Sequence, residues 1–273
     1  MELKDKFLYL KGTELVDKNF RVFFKELLAA LESGEIRVAE KKANEWQVNS
    51  WIKEAILMGF KYGNLSVQNI GEWQFFDKDT LGIRFLSVDD GIRLVPGGSV
   101  IRVGAYVAKG TVIMPPSYIN IGAYVDSGCM IDSHSLVGSC AQVGKNVHLS
   151  AASQLGGVLE PVGAMPVIVE DNVFIGGNCG IYEGTIIKQN AVIATGVIIN
   201  SSTPVYDAVN KRFLEKEKGK QIIIPENAVV VAGSRQLKSG GGTENNVHIY
   251  CPVIIKYRDE KTKSSITLEE LLR

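Results

Sequence analysis

The sequence predicts a mainly β protein organised around a parallel β-helix of hexapeptide repeats, preceded by a small α/β domain and followed by a short β/α extension. Two periodicities carry this. Aliphatic residues recur every sixth position at Ile101, Val107, Ile113, Ile119, Val125, Ile131, Val137, Val143, Leu149 and Leu155, then again at Val169, Ile175, Ile181, Ile187, Ile193 and Ile199. In the same phase, a small residue follows four positions after most of them (Ala105, Thr111, Ser117, Ala123, Cys129). Three positions after comes a residue that tolerates positive φ (Gly104, Gly110, Gly122, Gly128, Asn146, Asn172, Asn190). A period of six is neither that of a helix nor that of a single long strand. It fits short extended pieces joined by corners, three hexads to a coil, with the aliphatic side chain inside and glycine or asparagine relieving the corner.

Residues 1–100 read as an N-terminal α/β domain. Asp17 can cap a helix whose Phe20, Phe24, Leu27, Leu28 and Leu31 share one face until Gly34. A second helix starts at Asn49 or Ser50, buries Trp51, Ile52, Ala55, Ile56 and Met58, and stops at Gly59. Short strands and turns fill the stretch to Val95, with Asp89-Asp90-Gly91 as a turn. The β-helix occupies 101–235 and is interrupted by an inserted loop at 203–221, after which Ile224 and Val230 resume the hexads. Long excursions of this kind usually carry function. The extension, 236–273, begins with the glycine run Gly240–Gly242 and holds a strand from Tyr250 to Tyr257 and a short helix from Thr267.

The chain has 273 residues and balanced charge, 30 basic against 30 acidic, which gives no electrostatic reason to expect a nucleic acid or an anionic membrane as partner. No apolar run approaches a membrane span and the first residues do not form a leader, so the expected compartment is the cytoplasm. Cys129, Cys140, Cys179 and Cys251 form no Cys-x-x-Cys pair and are expected to be reduced, Cys129 and Cys179 at small inward positions. Some hexapeptide β-helices hold zinc between three histidines. Here His134 and His148 are not separated by a multiple of eighteen, so they do not stack on one face and no metal site is expected. A pure scaffold is a further alternative, against which the long insertion argues.

Asn120-Ile-Gly-Ala-Tyr-Val-Asp126, the run Val137 to Ser150 and Gly156-Gly-Val-Leu-Glu-Pro161 resemble tetrahydrodipicolinate N-succinyltransferases. So do Glu35–Lys41, Trp51-Ile-Lys-Glu-Ala55, Arg93-Leu-Val-Pro96 and the tail from Ile249, segments outside the common hexad pattern. The resemblance implies a left-handed β-helix, a homotrimer with active sites between subunits, and acyl transfer from a coenzyme A thioester to the amine of an amino-acid acceptor. That reaction belongs to lysine and diaminopimelate biosynthesis, with no tightly bound cofactor. The donor stays open between succinyl- and acetyl-coenzyme A, as does the acceptor between tetrahydrodipicolinate and a related amino acid.

Residue by residue, the resemblance assigns Asp132 as general base and acceptor contact, Arg93 to an acceptor carboxylate, and Gly157 and Lys238 to coenzyme A. Asp132 follows inward-facing Ile131, so it points out of the prism; the alternative is a corner aspartate that satisfies a turn amide. The chain departs from the family at Asp132-Ser-His134, where relatives carry Asp-Thr-Trp, and at Gly177-Asn-Cys-Gly180, where many carry Ala-Arg-Ser-Glu. Pro115-Pro116 also adds a residue. His134 and Glu183 are therefore alternative catalytic candidates, His134 also fitting a positive-φ corner for conformational reasons.

Overall fold

Each hexad supplies two extended residues and a four-residue corner, and three of them bring the chain back above its start. The computed structural model describes residues 1–12, 17–216 and 221–258. Within it, Val100–Ile101, Tyr106–Val107 and Val112–Ile113 give one strand to each side of a triangular prism. The second residue of each strand is buried, while the first faces out. Coils stack in parallel with partners eighteen residues apart, Val107 beside Val125 and Val125 beside Val143. The result is a left-handed β-helix. Its faces are named here by one outward residue each: six strands in the Tyr118 face, six in the Tyr124 face and ten in the Met130 face, which already begins at Arg93–Leu94.

The corners explain the third periodicity. Asn146, Asn172, Asn190 and the glycines sit at positive φ as their chemistry allows, but so do His134 (62°), Cys140 (69°) and Ala152 (58°). Those three are forced there by their place in the stack, since each corner amide must meet a carbonyl of the coil below: His134 N donates to Pro116 O at 2.7 Å and Cys140 N to Ile121 O at 3.1 Å. All four cysteines are free and buried.

Beyond the first coil, where Arg93 pairs with Val112, the eighteen-residue step fails twice. Val143 pairs with Val169, so residues between Leu155 and Val167 loop out, and Ile187 pairs with Ile224, which expels the predicted insertion. Over its described part that insertion has a structural task. Tyr206–Asp207 lies parallel to Val253–Ile254, Arg212–Phe213 folds back on it, and Val205 is buried at the end of the core. Buried Asp207 accepts the amides of Val209 and Asn210 at 3.0 Å and the Tyr257 hydroxyl at 2.8 Å. Residues 217–220 of the insertion and the helix expected from Thr267 lie outside the described residues. The strand expected from Tyr250 to Tyr257 is two strands, His248–Tyr250 and Val253–Tyr257, because Pro252 carries no amide to continue the ladder.

Three helices, α1 (Leu3–Gly12), α2 (Asp17–Glu32) and α3 (Ser50–Tyr62), form the N-terminal unit with two hairpins, β1 (Ala39–Lys42) with β2 (Glu45–Val48) and β3 (Leu65–Ile70) with β4 (Trp73–Lys78). The side chain of Asp17, expected to cap α2, is outside the described set. Helix α1 is not evident from the sequence, since Phe7 is its one buried residue and leaves almost no helical periodicity. Helix α3 runs past Gly59, its expected end, for a packing reason: a Cβ at Gly59 would overlap the Phe24 ring of α2. The helices pack on Ile121 and Cys140, two corner residues of the prism. Lys53 of α3 is buried there and its ammonium donates to Ala164 O at 2.6 Å, tying α3 to the loop after Leu155. Burial lowers the Lys53 pKa and pushes the neighbouring Cys140 thiol up to about 12.

The β1–β2 hairpin covers the Tyr124 face, packing Ala39 on Ile168 and Ile186. Arg37 places its guanidinium 3.5 Å from the centre of the Tyr124 ring, a cation–π contact. Glu170 accepts Lys41 Nζ at 3.0 Å and Trp46 Nε1 at 2.9 Å. Burial raises the Glu170 pKa, but the bonds from Trp46 and Lys41 outweigh it and hold the carboxyl below its usual range.

Two stability outcomes follow. Replacing Gly59 by Ala gains about 1 kcal/mol of helix propensity but overpacks against Phe24 at about 1–3 kcal/mol, so net destabilisation is expected in urea unfolding; a more stable variant would mean the ring moves freely. For Glu170→Gln the expected loss is about 1–3 kcal/mol at neutral pH. Because the folded carboxyl is depressed, its contribution is present above the ordinary glutamate range and disappears as pH falls through the depressed value. The unfolding curves of wild type and Glu170→Gln should therefore converge in acid; a constant gap would assign the effect to packing alone.

Candidate active site

The edge between the Met130 and Tyr118 faces carries Asp132 and His134. Asp132 is half-buried and its Oδ1 accepts the Ser133 amide at 2.7 Å. Asn120 and Asp126 do the same for Ile121 and Ser127, at 2.8 and 2.7 Å, so one oxygen of Asp132 does corner work. Among the described residues Oδ2 receives no hydrogen bond, which leaves one carboxylate oxygen facing outward. His134 is exposed, and no hydrogen bond or ion pair among the described residues joins it to Asp132. Above them on the same edge, Asn178 N donates to Ala151 O at 2.9 Å and Gly196 N to Gly177 O at 2.9 Å. Asn178 is thus a corner residue at φ 56°.

From that edge opens the Tyr118 face, whose outward residues run Val100, Tyr118, Leu136, Gln154, Gly180 and Ile198. Its lower end is overhung by the β3–β4 hairpin, which leaves a cavity of about 630 Å³ lined by Ile70, Trp73, Phe75, Arg102 and Tyr118. Its upper end meets a second hairpin, Ser234–Gln236 with His248–Tyr250, whose Tyr250 hydroxyl accepts the Ile198 amide at 2.7 Å. Between the two lies a strip containing the Tyr182 ring. A Cβ on Gly156 would come 2.6 Å from Tyr182 Cδ1 and one on Gly180 would come 2.8 Å from its hydroxyl oxygen, so the ring lies flat across both glycines. The hydroxyl donates to Gln154 Oε1 at 2.8 Å.

The other candidates are dispersed. Glu183 sits on the far edge of the Tyr118 face at φ 52°, where its carboxylate accepts the Ser201 hydroxyl and, at 2.9 Å, the Ser201 amide. Those two bonds lower its pKa. Arg93 is exposed in the first coil of the Met130 face and Lys238 is exposed in the upper hairpin's loop, so one chain puts them at opposite ends of the prism. Gly157 packs on Ser139, where a Cβ would come 2.8 Å from the Ser139 amide nitrogen. Sequence reasoning missed Gln154 and Tyr182. The one signal was Gly180 itself, a bare outward position two residues before an aromatic. Stacking Tyr182 over Gly156, however, requires knowing where the step after Leu155 lengthens.

Of the histidines, His148 packs on Phe174 across the Met130 face with ring centres 5.0 Å apart, and His248 lies in the upper hairpin beside Ser234. Among the described residues no group of three or more His, Cys, Asp or Glu side chains is placed to hold a metal ion, and no helix is long and apolar enough to cross a membrane.

A prism of stacked hexads with short parallel strands on three sides is a hexapeptide-repeat β-helix. Residues 166–201 match the family described as the hexapeptide repeat of succinyl-transferase, and residues 9–62 match the N-terminal region of tetrahydrodipicolinate N-succinyltransferase. The 2,3,4,5-tetrahydropyridine-2,6-dicarboxylate N-succinyltransferase of Legionella pneumophila (strain Corby) is 47% identical over 252 residues, 91% of this chain and 87% of its own. That of Sodalis glossinidius (strain morsitans) is 44% identical over 264 residues, 94% and 91% of the two chains, and that of Azoarcus sp. (strain BH72) 48% over 254 residues, 91% and 88%. The chain belongs to the tetrahydrodipicolinate N-succinyltransferase family and is an acyltransferase.

Proposed function

We propose that the protein transfers the succinyl group of succinyl-coenzyme A to the amine of ring-opened tetrahydrodipicolinate, in the cytoplasm, as a step of lysine and diaminopimelate biosynthesis. The observation that carries this is the extent of the likeness: 47% identity over 91% of the chain takes in the N-terminal unit as well as the hexads. In this reading the acceptor nitrogen attacks the thioester carbonyl, its proton passes to the outward oxygen of Asp132, and the C–S bond breaks. The thiolate takes up a proton and leaves as coenzyme A thiol. Asp132 fits the base better than Glu183, because both bonds that Ser201 gives to Glu183 hold that carboxylate as an anion in a structural task. Arg93 would pair with an acceptor carboxylate, and Lys238 and Gly157 would line the coenzyme A path.

A homotrimer completes this picture. Arg93 and Lys238 are too far along one prism to serve one bound pair of substrates, and the outward Met130, Phe174 and Val192 give the Met130 face apolar side chains that a neighbouring prism can cover. A second reading, acylation of a related amino acid with succinyl- or acetyl-coenzyme A, is favoured by Asn178 and Gly180, where many relatives have arginine and glutamate.

Purified protein with succinyl-coenzyme A and tetrahydrodipicolinate should release thiol well above the acceptor-free blank; fast acylation of a different amine instead would keep the donor class and overturn the acceptor. Asp132→Asn keeps the corner bond, as Asn120 does, so its melting temperature should hold while kcat falls by about 10² or more. Full activity in that variant would move the proton transfer to His134. Light scattering should give three times the chain mass of 29.8 kDa, and a monomer at working concentration would rule out a site shared between subunits.

A further inference from the structure

Tyr182 is unusual for an outward residue of the prism. Two stacked strands are arranged around it: Gly156 and Gly180 both lack the Cβ that would collide with its ring, and Gln154 accepts its hydroxyl at 2.8 Å. The ring belongs to none of the buried hydrophobic clusters and stays half-exposed, so this arrangement does little for the core. What it does is orient an amide. With Oε1 of Gln154 occupied by the phenol, the NH2 group of the same carboxamide has no partner among the described residues and keeps its two donors for a ligand. Gln154 stands one strand above Leu136, four residues on from the edge that carries Asp132. Neighbouring strands are about 4.8 Å apart, so the amide lies one coil above the corner that carries Asp132.

We infer that Gln154 and Tyr182 form a carboxylate-binding pair on the Tyr118 face, the tyrosine hydroxyl fixing the glutamine amide so that its NH2 receives a ligand carboxylate. Neither residue carries charge, and the site therefore binds a carboxylate by hydrogen bonds without an opposing cation. It also needs no side chain at position 180, where the ring would be displaced by one. The inference rests on the acyl-transfer reading above, in which two molecules could present the group: the succinyl chain of the donor or the amino-acid acceptor.

Calorimetric titration separates these sources and does not depend on turnover. Wild type, Gln154→Leu and Tyr182→Phe would each be titrated with succinyl-coenzyme A, acetyl-coenzyme A and the dicarboxylate pimelate, with melting curves as the check on folding. If the pair reads the acyl chain, both variants bind succinyl-coenzyme A about tenfold more weakly and acetyl-coenzyme A as before, the size expected for losing a hydrogen bond to a charged group. If it reads the acceptor, pimelate weakens by a similar factor and the two thioesters do not. Either result supports the pair. Gly180→Ala should reproduce Tyr182→Phe, because it lifts the ring off the face. Unchanged affinities for all three ligands in variants that melt like wild type would overturn it, as would wild type binding none of them. Weakened binding with no thiol release by wild type would leave the pair standing and sink the reaction; normal thiol release with unchanged affinities would do the reverse.

Discussion

In a coil of this prism the backbone amides and carbonyls of the strands point up and down the axis, so each coil is satisfied only by the coils next to it. The two terminal coils would each leave an edge of unpaired groups. Much of the rest of the chain is disposed to close those ends. Below the first coil, Arg84 N donates to Ile101 O at 2.8 Å, the Arg84 guanidinium reaches Ala105 O at 2.8 Å, and Glu32 of α2 accepts the Gly104 amide at 2.7 Å. Above the last, Val253–Tyr257 runs antiparallel to Ala228–Val231 and is itself capped by the returning insertion.

The sides of the prism have separate fates that follow from their outward residues. Tyr106, Tyr124 and Gln142 present aromatic and amide surface on which Arg37 and the β1–β2 hairpin lie, so that face is consumed in holding the N-terminal unit. The Met130 face carries the sheet beyond the prism at its upper end. Among the described residues, the Tyr118 face alone is contacted at both ends and left open in the middle, beside Asp132. Lys53 links this arrangement to the helices: its buried ammonium is held by one carbonyl of the loop that follows Leu155, the same loop that begins with Gly156 and Gly157. A charge buried at such cost marks the position of that loop as specified and not incidental.

Asp132 shows how a structural and a chemical role coexist in one side chain. Its first oxygen repeats what Asn120 and Asp126 do at other corners, so a corner reading and a base reading differ only over the second oxygen. Asn178 and Gly180 have different explanations. The first is a corner residue whose left-handed backbone asparagine tolerates well; the second is bare because Tyr182 occupies the space.

Periodicity alone makes the prism legible. Inward Ile131 or Val137 needs only its own hexad to be recognised, and the left-handed corners at Asn146 or Gly122 follow from local sterics. Local chemistry was also enough for α2 and for the turn at Gly91. It failed where a residue answers to something distant in the chain: Gly59 continues a helix because Phe24 packs over it, Cys140 and Ala152 take positive φ because their corners are stacked, and α1 exists because Phe7 finds Phe23. The site divides in the same way. Asp132 stands out from its offset to Ile131, whereas Gln154 and Tyr182 become a pair only when the coil after Leu155 lengthens and brings residue 182 above residue 156. The repeat, its inward side chains and its corners are written in the chain alone, because each is set within six residues. Which faces are covered, what the insertion closes and which polar groups share the open face were decided by tertiary structure, because each depends on the register between segments that only the folded stack brings together.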